Sequence, residues 1–370
     1  MQKKIIALAV AALASTAAFA QTNVTIYGVA DLGQAFVNVS GAGTSGASVS
    51  RLDSNSSLIG FKGVEDLGNG LKAVFQFESN VSADTNVGGL NGVRDSYIGL
   101  AGGFGTLVLG NITHPLRTMG AKVDLIPGAA GFGTMASVTG QIGGLHTGAD
   151  DRAANTVAYV SPSFGGLTGT VAYINGENRV STAAAGGVAN QHAFQVAAQY
   201  DNGPIYAGVG YHKVNDTGLN ATPAVVASAG ENVSVIRAAG AYMFPTKTKV
   251  TALVDRTKLD GAIGGVEAKR LAWSLSVSQG FGKNTIGLQY GRSGNIKADG
   301  ANVADTSSSI ASLIYTYDIS KRTMIHARLS RLNNSSEVNN GFYNNAVAQG
   351  LTTADGADYT GGMVGVRHSF

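Results

Sequence analysis

The sequence predicts an all-β fold, a closed 16-stranded antiparallel transmembrane β-barrel. Apolar and polar residues alternate at period two along most of the chain. Tight turns rich in Gly, Asn, Asp and Pro alternate with long polar insertions. Beyond the first 20 residues no apolar run approaches the roughly 18 residues of a spanning helix. A chain that crosses lipid without helices must close its sheet, because closure alone pairs every backbone N–H and C=O inside hydrocarbon.

The elements follow in chain order. Lys3 and Lys4 precede an apolar stretch from Ile5 to Ala18, and Ala18-Phe19-Ala20 supplies a small-x-small cleavage site. A secretory leader over residues 1–20 is therefore expected, with a barrel domain over 21–370. A retained helix is the poorer reading, since the stretch is shorter than the roughly 20 residues a span needs. Strand alternation is plain at Leu71, Ala73, Phe75 and Phe77 against Lys72, Val74, Gln76 and Glu78. It recurs at Leu271, Trp273, Leu275 and Val277, and at Thr323, Ile325, Ala327 and Leu329. Alternation alone also suits a soluble sandwich; the spacing of the breaks favours a barrel. Short turns are expected at 65–70, 102–105, 162–166, 201–204, 245–248, 280–283 and 318–321. Long insertions are expected near 40–55, 79–91, 111–152, 175–190, 213–231, 257–267, 293–306 and 331–358. Seven turns and eight loops give 16 strands with both chain ends on the short-turn side, the pattern of an outer-membrane barrel. The last strand, Val364 to Phe370, ends on an aromatic residue suited to the lipid–water boundary and to pairing with the first strand.

Composition narrows the function. Charged residues are only 13% of the chain, well below a soluble domain, while 44% hydrophobic content argues against disorder. The 26 basic residues barely exceed the 23 acids, and two of the basics, Lys3 and Lys4, leave with the leader, so no nucleic-acid partner is implied. The absence of cysteine rules out thiol chemistry and cysteine-bound metals. The histidines at 114, 146, 192, 212, 326 and 368 lack metal-ligand spacing. Gly41 to Gly46 matches Gly-x-Gly-x-x-Gly, but in a loop with no helix after it. No catalytic, cofactor-binding or metal-binding residue is expected, and no cofactor. An adhesin or structural barrel is the alternative, and a membrane hydrolase a weaker one for want of a Ser, His and acid set.

Several segments resemble β-proteobacterial general porins: Val24 to Asp31, Gly60 to Lys72, Tyr97 to Leu100, Phe104 to Leu107, and the closing Val366-Arg367-His368-Ser369-Phe370. The resemblance runs across the chain after residue 20. It implies a homotrimer in the Gram-negative outer membrane, with a third external loop, between Gly110 and Ala153, folded into the lumen. Small ions and hydrophilic solutes would pass by diffusion. Such a barrel sits among outer-membrane lipid and lipopolysaccharide, and barrel assembly machinery reads Phe370 as its signal.

Anion-preferring members carry wall arginines at positions that here hold Leu58 and Ala158, and the basic residue that often follows Leu-Gly at the end of the fifth strand is Asn111 here. Arg94 matches a family arginine that points into the lumen, and alternation turns Lys62 and Lys72 inward. Arg117, Lys122 and Asp124 lie in the third loop and Arg152 closes it. These seven are the expected constriction residues. The other inward charges expected are Arg237, Arg270, Arg328 and Arg367 against Asp31, Glu78 and Asp255, which gives a weak anion preference.

Overall fold

The computed structural model describes residues 23–41, 47–85, 90–177, 179–182, 187–217, 230–262, 265–343 and 354–370. The leader expected over 1–20 lies outside them. Sixteen strands form one antiparallel sheet. They are β1 (Asn23–Gly41), β2 in two segments (Ala47–Ser54, Leu58–Gly68), β3 (Leu71–Val81), β4 in two segments (Leu90–Val93, Ser96–Gly102) and β5 (Gly105–Thr113). After a long connection come β6 (Arg152–Val160), β7 (Leu167–Ile174), β8 (His192–Asn202), β9 (Ile205–Asn215), β10 (Asn232–Met243) and β11 (Thr248–Ala262). The last five are β12 (Val266–Phe281), β13 (Asn284–Ser293), β14 (Ser308–Asp318), β15 (Thr323–Asn334) and β16 (Ala357–Ser369). Each strand pairs with its neighbours in sequence, and β1 pairs with β16 from Val29↔Ser369 to Gly41↔Ala357, which closes the barrel.

The two strand breaks have local causes. At Asn55–Ser57 a side chain joins the ladder: Asp31 N donates to Ser57 Oγ at 2.9 Å, while the backbone bond from Asn55 N to Asp31 O remains at 2.8 Å. At Arg94–Asp95 the chain steps out of register while Arg94 N still reaches Glu78 O at 3.0 Å. Such bulges re-aim a side chain without ending the strand.

All seven short turns fall where expected, Asn69–Gly70 and Gly282–Lys283 among them. Two of the expected insertions are mostly strand. Ala47–Ser54 pairs with β1, and β11 and β12 continue to Ala262 and from Val266. Their outward positions there are polar (Ser48, Ser50, Lys258, Lys269), because the ladder extends beyond the apolar band. A strand top with a polar outer face reads as loop.

Alternation sorts the wall as expected. Ile26, Phe61, Phe77, Leu275, Leu288, Leu329 and Val364 face outward and are exposed. Asp31, Gln195, His212, Arg237, Asp255, Gln289, Ser312 and Arg328 face inward and are buried. Exposed Phe104, Phe164, Phe244, Phe281, Tyr317 and Phe370 sit at the short-turn end, where amphipathic rings favour an interface.

The seam depends on one close approach. Gly28 and Phe370 exchange both backbone hydrogen bonds at 3.1 Å, and a Cβ on Gly28 would lie 2.4 Å from the Phe370 ring. Gly28→Val is expected to displace that ring and open the last pairing. The folded band on unboiled gels should fall severalfold relative to the unaltered protein, whereas Ala30→Val should leave it unchanged.

Candidate functional site

The connection from β5 to β6 (residues 114–151) lies against the inward face of the wall. It begins with α1 (Pro115–Val123). Pro115 stands at N1, where its missing N–H costs nothing, and Leu116, Met119 and Val123 form one buried stripe. That stripe packs on Ala197, Tyr206, Ala239 and Leu253 of β8 to β11, with Leu116 against Val235. Thr251 Oγ1 donates to Val123 O at 2.7 Å and Lys249 Nζ to Lys122 O at 2.9 Å, so the helix descends toward the short-turn end. The chain then crosses β12 to β16, where Phe132, Met135 and Val138 pack on Ile310, Leu332, Tyr359 and Met363.

Inward side chains hold this path. Arg237 is fully buried and its guanidinium reaches Asp150 Oδ1 at 2.5 Å and Oδ2 at 2.8 Å, Asp255 Oδ2 at 2.7 Å, and Leu116 O at 3.0 Å. Asp255 also accepts from Gly140 N at 2.9 Å. Gly140 has φ +63, and a Cβ there would lie 2.1 Å from Asp150 Oδ2, so only glycine fits. Arg328 donates to Phe132 O at 2.9 Å, Gln289 to Gly133 O at 2.9 Å, and Arg270 to Val138 O at 3.3 Å. On the return leg His212 Nε2 sits 3.1 Å from Thr147 O, and His114 Nδ1 sits 2.6 Å from Gly148 O. Burial holds the His114 imidazole below its ordinary pKa, which favours the neutral ring. Tyr343, from the connection between β15 and β16, donates to Asp150 O at 2.7 Å and to the Asp151 carboxylate. Burial and Asp151 push its phenol well above the ordinary range, so it stays a donor.

This arrangement corrects the expected lumenal charges. Arg237, Arg270 and Arg328 are inward, but the connection covers all three. Gln289 and Ser312, also inward, donate to Gly133 O of the connection. Arg367 pairs with buried Asp31 at 2.8 Å, and His326 Nε2 lies 3.0 Å from the same carboxylate.

The open space lies opposite, beside β2, β3, β4 and β6. A cavity of about 500 Å³ is lined there by Arg51, Asp53, Asn80, Asp84, Arg94, Arg117 and Arg152, with Ala130 and Gly131 of the connection. Arg94 is steered by Asn80 Oδ1 at 3.0 Å and by Glu78 Oε2 at 3.7 Å. Asn111 Nδ2 donates to Arg94 O at 2.8 Å and fixes the bulge. Arg152 Nε meets Asp95 Oδ1 at 3.0 Å. Arg117 lies 5.9 Å from the Tyr343 ring centre, donates to Asp150 O, and has no carboxylate within 4.0 Å among the described residues.

Three of the seven expected site residues, Arg94, Arg117 and Arg152, therefore meet at one cavity. The other four are elsewhere. Lys122 pairs with Asp201 at 2.5 Å near the β8–β9 turn, because α1 carries it toward the short-turn end. Asp124 ties the connection to itself, accepting from Ile126 N at 2.9 Å, Thr134 Oγ1 at 2.6 Å and Met135 N at 2.9 Å. Burial raises its carboxyl pKa while those bonds oppose the rise. Lys72 sits exposed near the β2–β3 turn, and Lys62 lies 4.9 Å over the Tyr27 ring, away from the cavity. Arg51 and Asp53 were missed. Their signal was the alternation of Val49, Arg51 and Asp53 with Ser48, Ser50 and Leu52.

A family model for Gram-negative porins matches residues 7–337. The chain is 34% identical to outer membrane porin protein 32 of Delftia acidovorans, with 100% of each chain covered. It is 31% identical to the major outer membrane protein P.IB of Neisseria gonorrhoeae, over 87% of this chain and 91% of that one. Among solved structures, the anion-selective porin from Comamonas acidovorans superposes with a TM-score of 0.75 at 28% identity, over 95% of this chain and 100% of that one. With its closed 16-stranded wall and a match over most of its length, this chain belongs to the Gram-negative porin family, channels of the outer membrane rather than enzymes.

Proposed function

We propose that this porin passes small ions and hydrophilic solutes by passive diffusion, with a weak preference for anions set at the cavity between the inward connection and β2 to β6. The carrying observation is the charge there: Arg51, Arg94, Arg117 and Arg152 against Asp53 and Asp84. An excess of positive charge in a narrow, low-dielectric passage raises the local concentration of anions. The preference is weak because Arg51 is paired with Asp53, Arg152 with Asp95 and Arg94, more loosely, with Glu78 at 3.7 Å, which leaves Arg117 the least compensated. The anion-selective porin from Comamonas acidovorans supports the same sign.

Residues 1–20 are a cleaved leader. Three copies assemble through the β16 and β1 to β7 side, where Gly28, Ala30, Gly362 and Val364 are small or apolar outward residues. Assembly machinery reads Phe370, and lipopolysaccharide surrounds the long-loop end.

Purified protein in a planar bilayer should give stepwise conductance. In a potassium chloride gradient, Arg94→Ala and Arg117→Ala should each move the reversal potential toward cations. The preference should fade with added salt, since screening reaches about 8–10 Å at physiological ionic strength and less above it. If neither variant moves the potential, the selectivity lies elsewhere in the lumen.

A further inference from the structure

The outward face of the barrel is electrostatically two-sided at its long-loop end. From β9 to β15, positions just beyond the apolar band carry Lys213, Arg256, Lys258, Lys269, Arg292 and Arg331. Among the described residues, the outward positions of β1 to β7 carry no lysine or arginine. Within the basic row, Lys258 reaches Asp260 at 2.7 Å and Glu267 at 2.8 Å, and Lys269 also pairs with Glu267. Arg256 and Arg292 have no acid within 4.0 Å among the described residues, and both are exposed.

These two arginines flank the chain's single tryptophan. Trp273 on β12 stands directly opposite Arg292 on β13 and Val254 on β11, while Arg256 lies opposite Leu271 one step higher. The Trp273 ring contacts Tyr290 with centroids 5.6 Å apart. Two strand spacings and two residue rises separate the arginine Cα atoms by roughly 12 Å. Flexible guanidinium arms across that gap can close on one anionic headgroup while the indole packs at the edge of its acyl chains. Guanidinium favours phosphate because its fork makes two parallel charge-assisted hydrogen bonds.

We propose that Arg256, Trp273 and Arg292 form a binding site for a phosphorylated lipid headgroup of the outer leaflet, with Lys269 and Arg331 extending it along the wall. The assignment rests on the porin reading, which puts the long-loop end of the barrel in that leaflet. A position outside the lumen, at the level where β11, β12 and β13 change from apolar to basic, fits a lipid rather than a permeating ion.

Trp273 is a built-in reporter. Detergent-solubilised protein would be titrated with bisphosphorylated lipid A, with its dephosphorylated form and with sodium phosphate while tryptophan fluorescence is followed. A saturable change is expected with the bisphosphorylated lipid alone. R256Q/R292Q should weaken the midpoint at least tenfold, whereas R256K/R292K should lose much less. Single-channel conductance of the same preparations should stay that of the parent, which shows that the variants are folded. Equal midpoints for the phosphorylated and dephosphorylated lipids, or for parent and R256Q/R292Q, would overturn the site. A matching response to sodium phosphate would overturn the lipid assignment. A parent protein without conductance would instead count against the porin reading.

Discussion

Arg237→Met is expected to loosen the inward connection and to destabilise the barrel more than any other lumenal substitution. Arg237 is the only described partner that bridges Asp150 of the connection to Asp255 of the wall. Both carboxylates are buried, so removing the guanidinium strands two charges away from water. Breaking a buried ion pair from one side costs about 3–5 kcal/mol. Methionine also removes the donor to Leu116 O, which positions the start of α1. The measurable results are a lower unfolding temperature, noisier open-channel current and faster proteolysis within residues 114–151. The double variant Arg237→Met with Asp255→Asn should recover part of the stability, because one stranded charge is gone. If Arg237→Met leaves noise and stability at parental levels, the connection is held by its apolar stripe instead.

Reversing charge at the cavity should have the largest effect on permeation. Arg94→Glu with Arg117→Glu changes the balance around the cavity by four unit charges without touching the Arg237 ion pairs. A unit charge about 6 Å from a permeating ion contributes near 0.7 kcal/mol in water and more beside low-dielectric walls. The anion-to-cation permeability ratio should therefore fall by tenfold or more and change sign of preference. Reversal potentials across a potassium chloride gradient check this directly. The same reversal at Lys122, which faces Asp201 instead, should move the potential far less.

The barrel was legible because its signal is local. Period-two alternation in β3, β12 and β15 and the Gly, Asn and Asp turns at 69–70 and 282–283 need no knowledge of distant residues. The polar tops of β2, β11 and β12 were misread for the same reason: beyond the apolar band, a strand whose outer face carries Ser48, Ser50, Lys258 and Lys269 loses its contrast. The path of the connection was not legible from alternation. Its anchors pair residues far apart in sequence, Arg237 with Asp150 and Arg328 with Phe132, and only closure brings those strands beneath it. This explains why three inward arginines proved to be anchors. It also explains Asp124, whose place in the third loop suggested the passage although three hydrogen bonds hold it inside the connection. Arg94, Arg117 and Arg152, which line one cavity, each sit next to a recognisable landmark in the sequence. Arg51 had none.

The chain has no cysteine, so a single introduced thiol reports its own surroundings. Asn80 lines the cavity without contributing charge, while Leu275 lies on the outward apolar face. Asn80→Cys and Leu275→Cys proteins, each carrying current in a bilayer, would be exposed to a negatively charged, water-soluble thiol reagent. Modification of Asn80→Cys should lower single-channel current and shift the reversal potential toward cations, and Leu275→Cys should show no change. Unaltered current after complete labelling at Asn80→Cys would contradict a conducting path between the inward connection and β2 to β6.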